Sequence, residues 1–239
     1  MGSIQNFVVN MDWWGLLGLV VSVAATLLCF TVHELCHGAV AYRLGDPTAK
    51  LCGRLTLNPI RHIDVAGLIM MLVARVGWAK PVPVDMRNFK NPKRGMALTA
   101  LAGPASNFLM ALAALALSSL IFHFAPFHPV WLVVLCFLCN VALLSVGMGL
   151  FNLIPISPLD GSKIFFSFLP DKLYYTILKY ERFVMIAVIL LTFLGVFRRP
   201  LSFLIVGVLR GLCAITGFPL DGVLLYQDVS YIMYLFGVS

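Results

Sequence analysis

Long uncharged, apolar stretches separated by short polar segments dominate the pattern of this 239-residue chain. Trp13–Val32, Met96–Phe122 and Val130–Leu159 contain no Asp, Glu, Lys or Arg. Because about 20 apolar residues in a helix cross the hydrocarbon core of a bilayer, each stretch predicts a membrane-spanning helix. Leu173–Phe197 and Leu201–Leu220 are further candidate spans, although both contain charged side chains.

The segment between the first two spans departs from this pattern. We expect the first helix to run from Trp13 to about Leu44, because Gly45 suits the C-terminal cap and the following Asp-Pro pair stops the helix. Ala49–Leu57 alternates loosely between polar and apolar residues and predicts an extended strand or hairpin. Val65–Val76 is apolar but holds only 12 residues. That length, together with Arg75 inside the segment, favours a re-entrant or partly buried helix over a full span.

Together these elements predict an all-α polytopic membrane protein. We expect a bundle of about five to six transmembrane helices, with a short membrane-associated β hairpin or re-entrant region between the first and second full spans. The chain contains no repeat and no segment that resembles a soluble domain. Residues 1–239 are therefore interpreted as one membrane domain, with a core at about 13–200 and C-terminal helices at about 201–239. The tail Asp221–Ser239 is expected to form an interfacial helix.

The composition agrees with a membrane protein and changes how the charge is interpreted. Apolar residues make up 61% of the chain and charged residues only 11%, whereas soluble domains carry about 25% charged residues. The net charge of +7 is therefore assigned to lysines and arginines at the cytoplasmic ends of spans, and nucleic-acid binding is not expected. The six cysteines are scattered through apolar runs and suggest packing, with no disulfide framework.

The first predicted span ends in the H-E-x-x-H motif His33-Glu34-Leu35-Cys36-His37. Residues four apart in a helix project from the same face, so His33 and His37 can bind one zinc ion together. Ionisable side chains in or beside hydrocarbon are energetically costly and usually mark function. The alternative, a chance motif that only decorates a helix surface, is disfavoured by this apolar setting.

The distribution of basic residues predicts the topology. Ten of the 17 lysines and arginines lie between Arg43 and Arg94, whereas His123–Pro129 contains none. The positive-inside rule then places the first of these regions in the cytoplasm and the second outside. The N-terminus is predicted to be outside, and the first and third spans both run inward. The third span therefore delivers Asp160 to the side of the membrane that holds the H-E-x-x-H motif.

This convergence predicts a catalytic zinc centre with Asp160 as the third protein ligand. A catalytic zinc usually has three protein ligands and one open position for water. Zinc lowers the pKa of bound water from 15.7 to about 7, and Glu34 is assigned as the general base that accepts the proton. Pro155 and Pro158 should break the helix before Asp160, and Gly161 should let the chain bend there.

Two alternatives remain beside this assignment. Asp160 lies in a Leu-Asp-Gly sequence, which also suits a simple turn or cap. His62 and Asp64 form a second polar pair in the loop. For that pair, capping of the following helix by Asp64 is preferred to a catalytic role.

The order of these motifs resembles the site-2 protease family of intramembrane zinc metalloproteases, in its compact bacterial form. The resemblance covers about residues 20–200 and rests on the following segments: His33–His37, the Gly-Pro-x-x-Asn element Gly103–Asn107, Asn152–Gly161, Leu57–Gly67 and Gly77–Val84. Leu153 and Ser157 stand where many relatives have proline. The PDZ domain of the family is expected to be absent, because His123–Pro129 is too short to hold one, and a C-terminal regulatory domain is not expected either.

The resemblance implies His33, His37 and Asp160 as ligands of one Zn2+ per chain and Glu34 as the catalytic base. It also implies that Asn152 and Asn107 orient the substrate or stabilise the oxyanion, since a carboxamide can donate to developing negative charge. For Asn107, a hydrogen bond between helices of the bundle is an alternative of nearly equal weight.

The function implied is that of a zinc-dependent intramembrane endopeptidase. Its expected partners are membrane lipid and the transmembrane helices of substrate proteins, which are cut near the cytoplasmic side of a bacterial inner membrane. Unwound substrate is expected to pair with Ala49–Leu57 by strand addition. Two rival functions are an amidase that acts on a lipid or small amide, and a non-enzymatic scaffold, zinc sensor or transporter. The sequence does not indicate the physiological substrate or the oligomeric state.

Overall fold

The computed structural model describes residues 12–64, 80–170, 172, 173, 176, 180–229, 231 and 233. Two short 3-10 helices, Pro59–Arg61 and Met86–Asn88, lie in the loop that follows the first long helix. The described α-helices are α1 Trp13–Arg43, α2 Thr48–Leu51, α3 Pro92–Phe124, α4 Pro129–Asn152, α5 Asp160–Phe166, α6 Glu181–Phe193, α7 Arg198–Thr216 and α8 Leu220–Leu225.

Four of these helices are long and apolar enough to cross a membrane: α1, α3, α4 and α7. The first three spans predicted from the sequence are thus confirmed as helices, and α7 corresponds to the predicted Leu201–Leu220 span. The predicted Leu173–Phe197 span is represented by α6, which has 13 residues and is shorter than a full span. The described residues therefore supply four candidate spans, fewer than the five to six expected.

The predicted β hairpin was wrong, since the described residues contain no β-strand. Within Ala49–Leu57 the chain forms the short helix α2 and then a series of turns. The side chain of Asp46 accepts a hydrogen bond from the N–H of Thr48, which favours a helical turn at this point. Gly53 follows with a φ of 65°, a left-handed conformation that interrupts any extended strand. The predicted re-entrant helix Val65–Val76 lies outside the described residues.

Local sequence accounts for both ends of α1. Asp12 caps its N-terminus by accepting a hydrogen bond from the N–H of Gly15 at 2.8 Å. At the other end the helix stops at Arg43, and Gly45 adopts a φ of 109°. The predicted stop near Leu44 is therefore confirmed. Because α1 remains unbroken to this point, both histidines of the motif lie on one continuous helix.

The third predicted span ends earlier than its apolar run. Although the uncharged stretch continues to Leu159, α4 ends at Asn152. Pro155 and Pro158 lack a backbone N–H and cannot continue the hydrogen bonding of a helix. Turns replace it from Leu153 onward, and they lead directly into α5. This break positions the first residue of α5, Asp160, against the bundle.

Helix α3 packs against α1, α4, α5 and α7. Small residues line its contacts: Ala25 of α1, Ala111 of α3 and Ala142 of α4 are completely buried. Small side chains let helix backbones approach closely, which is a common basis of packing within membranes. Polar contacts add to the packing, for example between Sγ of Cys29 and Oγ of Ser145 at 3.2 Å.

The C-terminal tail is described only in part. Helix α8 ends at Leu225, and few residues beyond it are described. The expectation of an interfacial helix over Asp221–Ser239 therefore falls mostly outside the described residues.

Candidate metal centre and active site

The three residues predicted as metal ligands meet in one buried cluster. Nε2 of His33 lies 3.0 Å from Nε2 of His37. Oδ2 of Asp160 lies 3.2 Å from Nε2 of His33 and 3.1 Å from Nε2 of His37. This is the one group of three or more metal-binding side chains found in the described part of the chain. Tertiary structure thus joins a motif on α1 to a residue that lies 123 positions beyond His37.

The spacing of these three atoms suits a tetrahedral zinc ion. Ligand atoms at about 2.0–2.1 Å from a tetrahedral zinc are separated from each other by about 3.3 Å. The three distances in the cluster are 3.0, 3.1 and 3.2 Å. Two imidazole nitrogens and one carboxylate oxygen also form a donor set that zinc binds in catalytic sites. The residues present therefore fit the metal.

Close backbone packing holds Asp160 in place. Asp160 begins α5, which starts immediately after the turns that end α4. A Cβ atom added to Gly161 would lie 2.6 Å from the carbonyl oxygen of Ile154, so only glycine fits beside this turn. Gly161 was expected to provide a sharp bend, but its φ is not among the positive values. Its role is to leave space for the turn.

The second carboxylate oxygen of Asp160 faces a lysine. Oδ1 lies 3.8 Å from Nζ of Lys163, while Oδ2 faces the two histidines. The two oxygens of this carboxylate therefore have different neighbours. This arrangement suits binding of the metal through Oδ2 alone.

Helix α3 contacts both histidines from behind the cluster. Nδ1 of His37 lies 2.7 Å from the carbonyl oxygen of Thr99, and Nδ1 of His33 lies 3.2 Å from the carboxamide of Asn107. Thr99 and Asn107 are eight residues apart and therefore lie on the same face of α3. Since each histidine is contacted through Nδ1, both Nε2 atoms point towards Asp160. Such hydrogen bonds to the far side of a ligand orient it and tune its basicity.

Gly103 lies between these two contacts on the same face of α3. A Cβ atom at this position would lie 2.5 Å from Cε1 of His37 and 2.6 Å from Cε1 of His33. Real Cβ atoms do not approach other atoms so closely, so any larger residue would displace the imidazole rings. The absence of a side chain at this position is thus required for both rings to keep their observed positions.

Glu34 is held by the loop that precedes α3. The backbone N–H of Val82 donates a hydrogen bond to Oε2 of Glu34 at 2.8 Å. Pro81 and Pro83 flank this residue and have no backbone N–H. Val82 is therefore the single backbone donor in the Pro-Val-Pro sequence, and its N–H is directed at the predicted general base.

We call residues Lys80–Phe89 the strap, because hydrogen bonds attach this segment to Glu34, His62 and Asp46 at separate points. Beyond the bond to Glu34, the N–H of Lys80 donates to the carbonyl of His62 at 2.9 Å. Near its other end, Asp46 accepts from the N–H of Asp85 at 2.7 Å and from Nδ2 of Asn88 at 2.8 Å. The strap is thus fixed on both sides of Val82.

Asp46 is a completely buried carboxylate at the base of the strap. Burial alone would raise its pKa. Hydrogen bonds from Thr48, Asn88 and the N–H of Asp85 outweigh that effect and hold the pKa of Asp46 below its ordinary value. The carboxylate therefore remains charged and keeps all of its donors.

The other residues considered from the sequence have different surroundings. Nε2 of His62 lies 2.9 Å from the carbonyl oxygen of Thr56, so this histidine stabilises a turn. The helix that Asp64 was expected to cap lies outside the described residues. Asn152 is half-buried at the C-terminal end of α4, eight residues before Asp160.

Sequence reasoning missed several residues of the site. Thr99 contributes through its backbone carbonyl, and Val82 through its backbone N–H, so neither side chain gave a signal. Lys163 could have been found, because it follows Asp160 by three residues and therefore lies on the same face of a helix. Asp46 was interpreted only as part of the helix stop, and its links to the strap were not foreseen.

Comparison with known proteins finds relatives that are named zinc metalloproteases. YwhC of Bacillus subtilis, named "Putative zinc metalloprotease YwhC", is 39% identical over 160 residues, which are 62% of this chain and 68% of YwhC. The chain belongs to the family of zinc metalloproteases that contains YwhC. This agrees with the compact site-2 protease-like family indicated by the motifs, and membership implies Zn2+ as the cofactor.

Two more distant members extend the comparison. Rip2 of Mycobacterium tuberculosis H37Rv is 32% identical over 146 residues, which are 59% of this chain and 54% of Rip2. Zinc metalloprotease MJ0392 of Methanocaldococcus jannaschii is 27% identical over 173 residues, which are 72% of this chain and 39% of that protein. The chain thus matches about half of Rip2 and less of MJ0392. No family model and no solved structure matches the chain.

Proposed function

We propose that this protein is a zinc-dependent intramembrane endopeptidase that hydrolyses peptide bonds within or near the transmembrane segments of other proteins. The observation that carries the proposal is the cluster of His33, His37 and Asp160 beside Glu34, at the end of a helix long and apolar enough to cross a membrane. Family membership supports the protease and zinc parts of this proposal. The intramembrane part rests on the location of the cluster.

His33, His37 and Asp160 are proposed to hold one Zn2+ per chain through Nε2, Nε2 and Oδ2. The bound zinc supplies a water whose pKa is close to 7. Glu34 is proposed to accept a proton from that water and to pass it to the nitrogen of the leaving amine. The hydrogen bond from Val82 engages Oε2 of Glu34, and we assign this transfer to Oε1, for which no hydrogen bond is found among the described residues.

Asn152 is proposed to orient the substrate or to stabilise the oxyanion. Its carboxamide carries two donors, and its position at the end of α4 is close in sequence to the turns before Asp160. The mutation Asn152→Ala should therefore lower kcat and leave the zinc content at its wild-type value.

The topology inferred from charge places the reaction near the cytoplasmic side of the membrane. The N-terminus is proposed to be outside, in a bacterial inner membrane, and residues 1–239 to form one membrane domain. Ten of the 17 lysines and arginines lie between Arg43 and Arg94, a region that ends in the first turn of α3. Cysteine labelling from each side of sealed vesicles tests this orientation: Cys52, which is exposed, should react only from the cytoplasmic side.

The decisive experiment compares zinc content and proteolysis in the same preparations. Wild type, Glu34→Gln and Asp221→Asn would be purified in detergent and incubated with a model membrane protein that has one transmembrane helix. Asp221 is exposed on α8, so Asp221→Asn is the matched control that also removes one carboxylate. We expect one zinc per chain in all three proteins, and cleavage by wild type and Asp221→Asn only.

Mass spectrometry of the products distinguishes the remaining functions. A cut within or beside the transmembrane helix supports the proposal. Glu34-dependent release of an amide product from lipid, without peptide cleavage, would identify an amidase. Wild type without bound zinc, or with cleavage that survives Glu34→Gln, would reject the proposed chemistry, because both proposed proton transfers pass through Glu34.

A further inference from the structure

Asn107 contacts His33 through an amide whose two ends differ in their surroundings. The side chain is completely buried, and its Nδ2 lies 3.2 Å from Nδ1 of His33. Its Oδ1 is also buried and has no hydrogen-bond partner among the described residues. Buried polar atoms are normally paired, and here only the end of the amide that faces His33 has a partner among the described residues.

An Asn107 amide that points its Nδ2 at Nδ1 of His33 conflicts with metal binding by His33. A neutral imidazole carries one proton, either on Nδ1 or on Nε2. If Nδ2 of Asn107 donates to Nδ1, the proton must lie on Nε2. That nitrogen faces His37 and Asp160 and would then have no lone pair for a metal. A donating Asn107 and a zinc-binding His33 therefore exclude each other.

The neighbouring histidine indicates which alternative applies. Nδ1 of His37 contacts the carbonyl oxygen of Thr99 at 2.7 Å. Because a carbonyl only accepts hydrogen bonds, Nδ1 of His37 must carry the proton, which leaves its Nε2 free for the metal. The same helix thus gives His37 an acceptor. Gly103 lies four residues after Thr99 and leaves space for both imidazole rings. Asn107 lies eight residues after Thr99 and contacts the ring of His33.

Reversal of the Asn107 amide removes the conflict. The oxygen and nitrogen of a carboxamide are similar in size and exchange places when the group turns by about 180°, so the hydrogen-bond network decides which atom faces which neighbour. After reversal, Oδ1 accepts a proton from Nδ1 of His33, and Nε2 faces the cluster with its lone pair. The amino group then takes the position of the unpaired oxygen, so the amide gains no hydrogen bond. What improves is the tautomer of His33, which now has a lone pair on Nε2.

We propose that Asn107 is a positioning residue whose Oδ1 accepts a hydrogen bond from Nδ1 of His33 and so fixes the tautomer that presents Nε2 to the metal. This inference rests on the proposed zinc site. It assigns Asn107 an acceptor role, which differs from the donor role that oxyanion stabilisation requires. The two roles predict opposite results for a side chain at this position that can only accept hydrogen bonds, because such a side chain keeps the acceptor role and loses the donor role.

The test measures zinc affinity in the variants Asn107→Asp and Asn107→Leu by competition with a chelator, with no substrate present. A carboxylate at this position accepts from Nδ1 as the amide oxygen does, whereas leucine leaves Nδ1 without a partner. Loss of such a partner typically weakens metal affinity about 10- to 100-fold. We expect that loss in Asn107→Leu, and wild-type or tighter affinity in Asn107→Asp.

Asn140→Leu provides a matched control. Asn140 is also a buried asparagine of the bundle, but it donates to the carbonyls of Cys136 and Gln227. This variant should lose stability and keep zinc affinity. The absorption of bound Co2+ gives a second readout, since the intensity of its visible bands should change in Asn107→Leu and stay constant in Asn140→Leu.

The outcomes separate this inference from the proposed function. Wild type that binds no zinc would reject the function itself. Wild-type zinc affinity in Asn107→Leu would overturn only the positioning role and would favour a donor to the substrate. If the leucine variant does not fold, Asn107→Asp alone decides: an affinity at least tenfold weaker than that of wild type overturns the inference.

Discussion

The backbone N–H of Val82 is 2.8 Å from Oε2 of Glu34, although the two residues are 48 positions apart in sequence. The bond fixes the direction of the carboxylate relative to the proposed ligands His33 and His37, which precede and follow Glu34 on α1. Since prolines flank Val82, no other backbone donor of the Pro-Val-Pro sequence can replace this N–H.

Removal of this donor should reduce turnover without removing the metal. A hydrogen bond to a charged group contributes about 1.5–3 kcal/mol, so Val82→Pro should lower kcat about 10- to 100-fold. Val82→Ala keeps the N–H and is the matched control, with kcat within a few-fold of wild type. Zinc content should equal that of wild type in both. Equal kcat values for the two variants would show that the bond does not orient Glu34.

Gly103 should be intolerant of even one added methyl group. Since a Cβ there would collide with both imidazole rings, Gly103→Ala should weaken zinc affinity at least tenfold and remove proteolysis. Gly211→Ala is the matched control, because Gly211 lies on α7 and, among the described residues outside its own turn of helix, none has an atom within 4 Å of the added Cβ. Alanine there should preserve both zinc and activity. A Gly103→Ala protein with full zinc content would contradict the close approach described for α3.

Metal removal should abolish activity reversibly. Dialysis against 1,10-phenanthroline should lower the zinc content from one per chain to near zero, and added Zn2+ should restore cleavage. Asp160→Asn replaces a charged ligand with a neutral one, so its zinc affinity should fall at least tenfold. Asp221→Asn, which removes a distant carboxylate, should bind zinc as wild type does. Cleavage that persists after complete zinc removal would count against the metal centre.

Asp46 should make a contribution to stability that depends on pH. Its depressed pKa means that the stabilisation is complete above the unfolded value of about 3.9 and is lost as the pH falls through the lower folded value. Asp46→Asn cannot accept from the N–H of Asp85 in the same way. The Tm of this variant in detergent should therefore lie below that of wild type at pH 7, and the difference should shrink below about pH 4.

The matched variant for that measurement is Asp85→Asn. Asp85 is paired with the exposed Arg87 at the surface of the strap. Exposed ion pairs contribute little to stability, so the Tm of this variant should remain close to that of wild type at pH 7. A gap between Asp46→Asn and wild type that stays constant down to pH 3 would show that the charge of Asp46 does not matter.

Some features of the fold were predictable because they depend on local sequence. The spans α1, α3 and α4 follow from apolar runs whose length matches a bilayer, and the end of α1 follows from Gly45 and the residues after it. The strand predicted at Ala49–Leu57 was wrong, although the interactions that decide this segment are also local. Its alternation was weak, and hydrogen bonds from Thr48 to Asp46 favour a helical turn that alternation does not indicate.

The candidate site also contains residues that the sequence predicted and contacts that it did not. His33 and His37 are related by helical spacing alone, and the distribution of basic residues predicted Asp160 on the same side of the membrane. The contacts of Thr99 and Val82 could not be found in this manner, because a backbone carbonyl and a backbone N–H are present in almost every residue. Which of them meets a histidine or a glutamate depends on how the helices pack.

The sequence by itself determined the types of side chain available for zinc chemistry and the apolar helices that carry them, since both depend on residue identity and local periodicity. Only the tertiary structure decided which atoms of α3 and the strap meet His33, Glu34 and His37. The physical reason is that these contacts depend on the close approach of backbones at Gly103 and on hydrogen bonds that span 48 to 74 positions. Local sequence does not encode such distances.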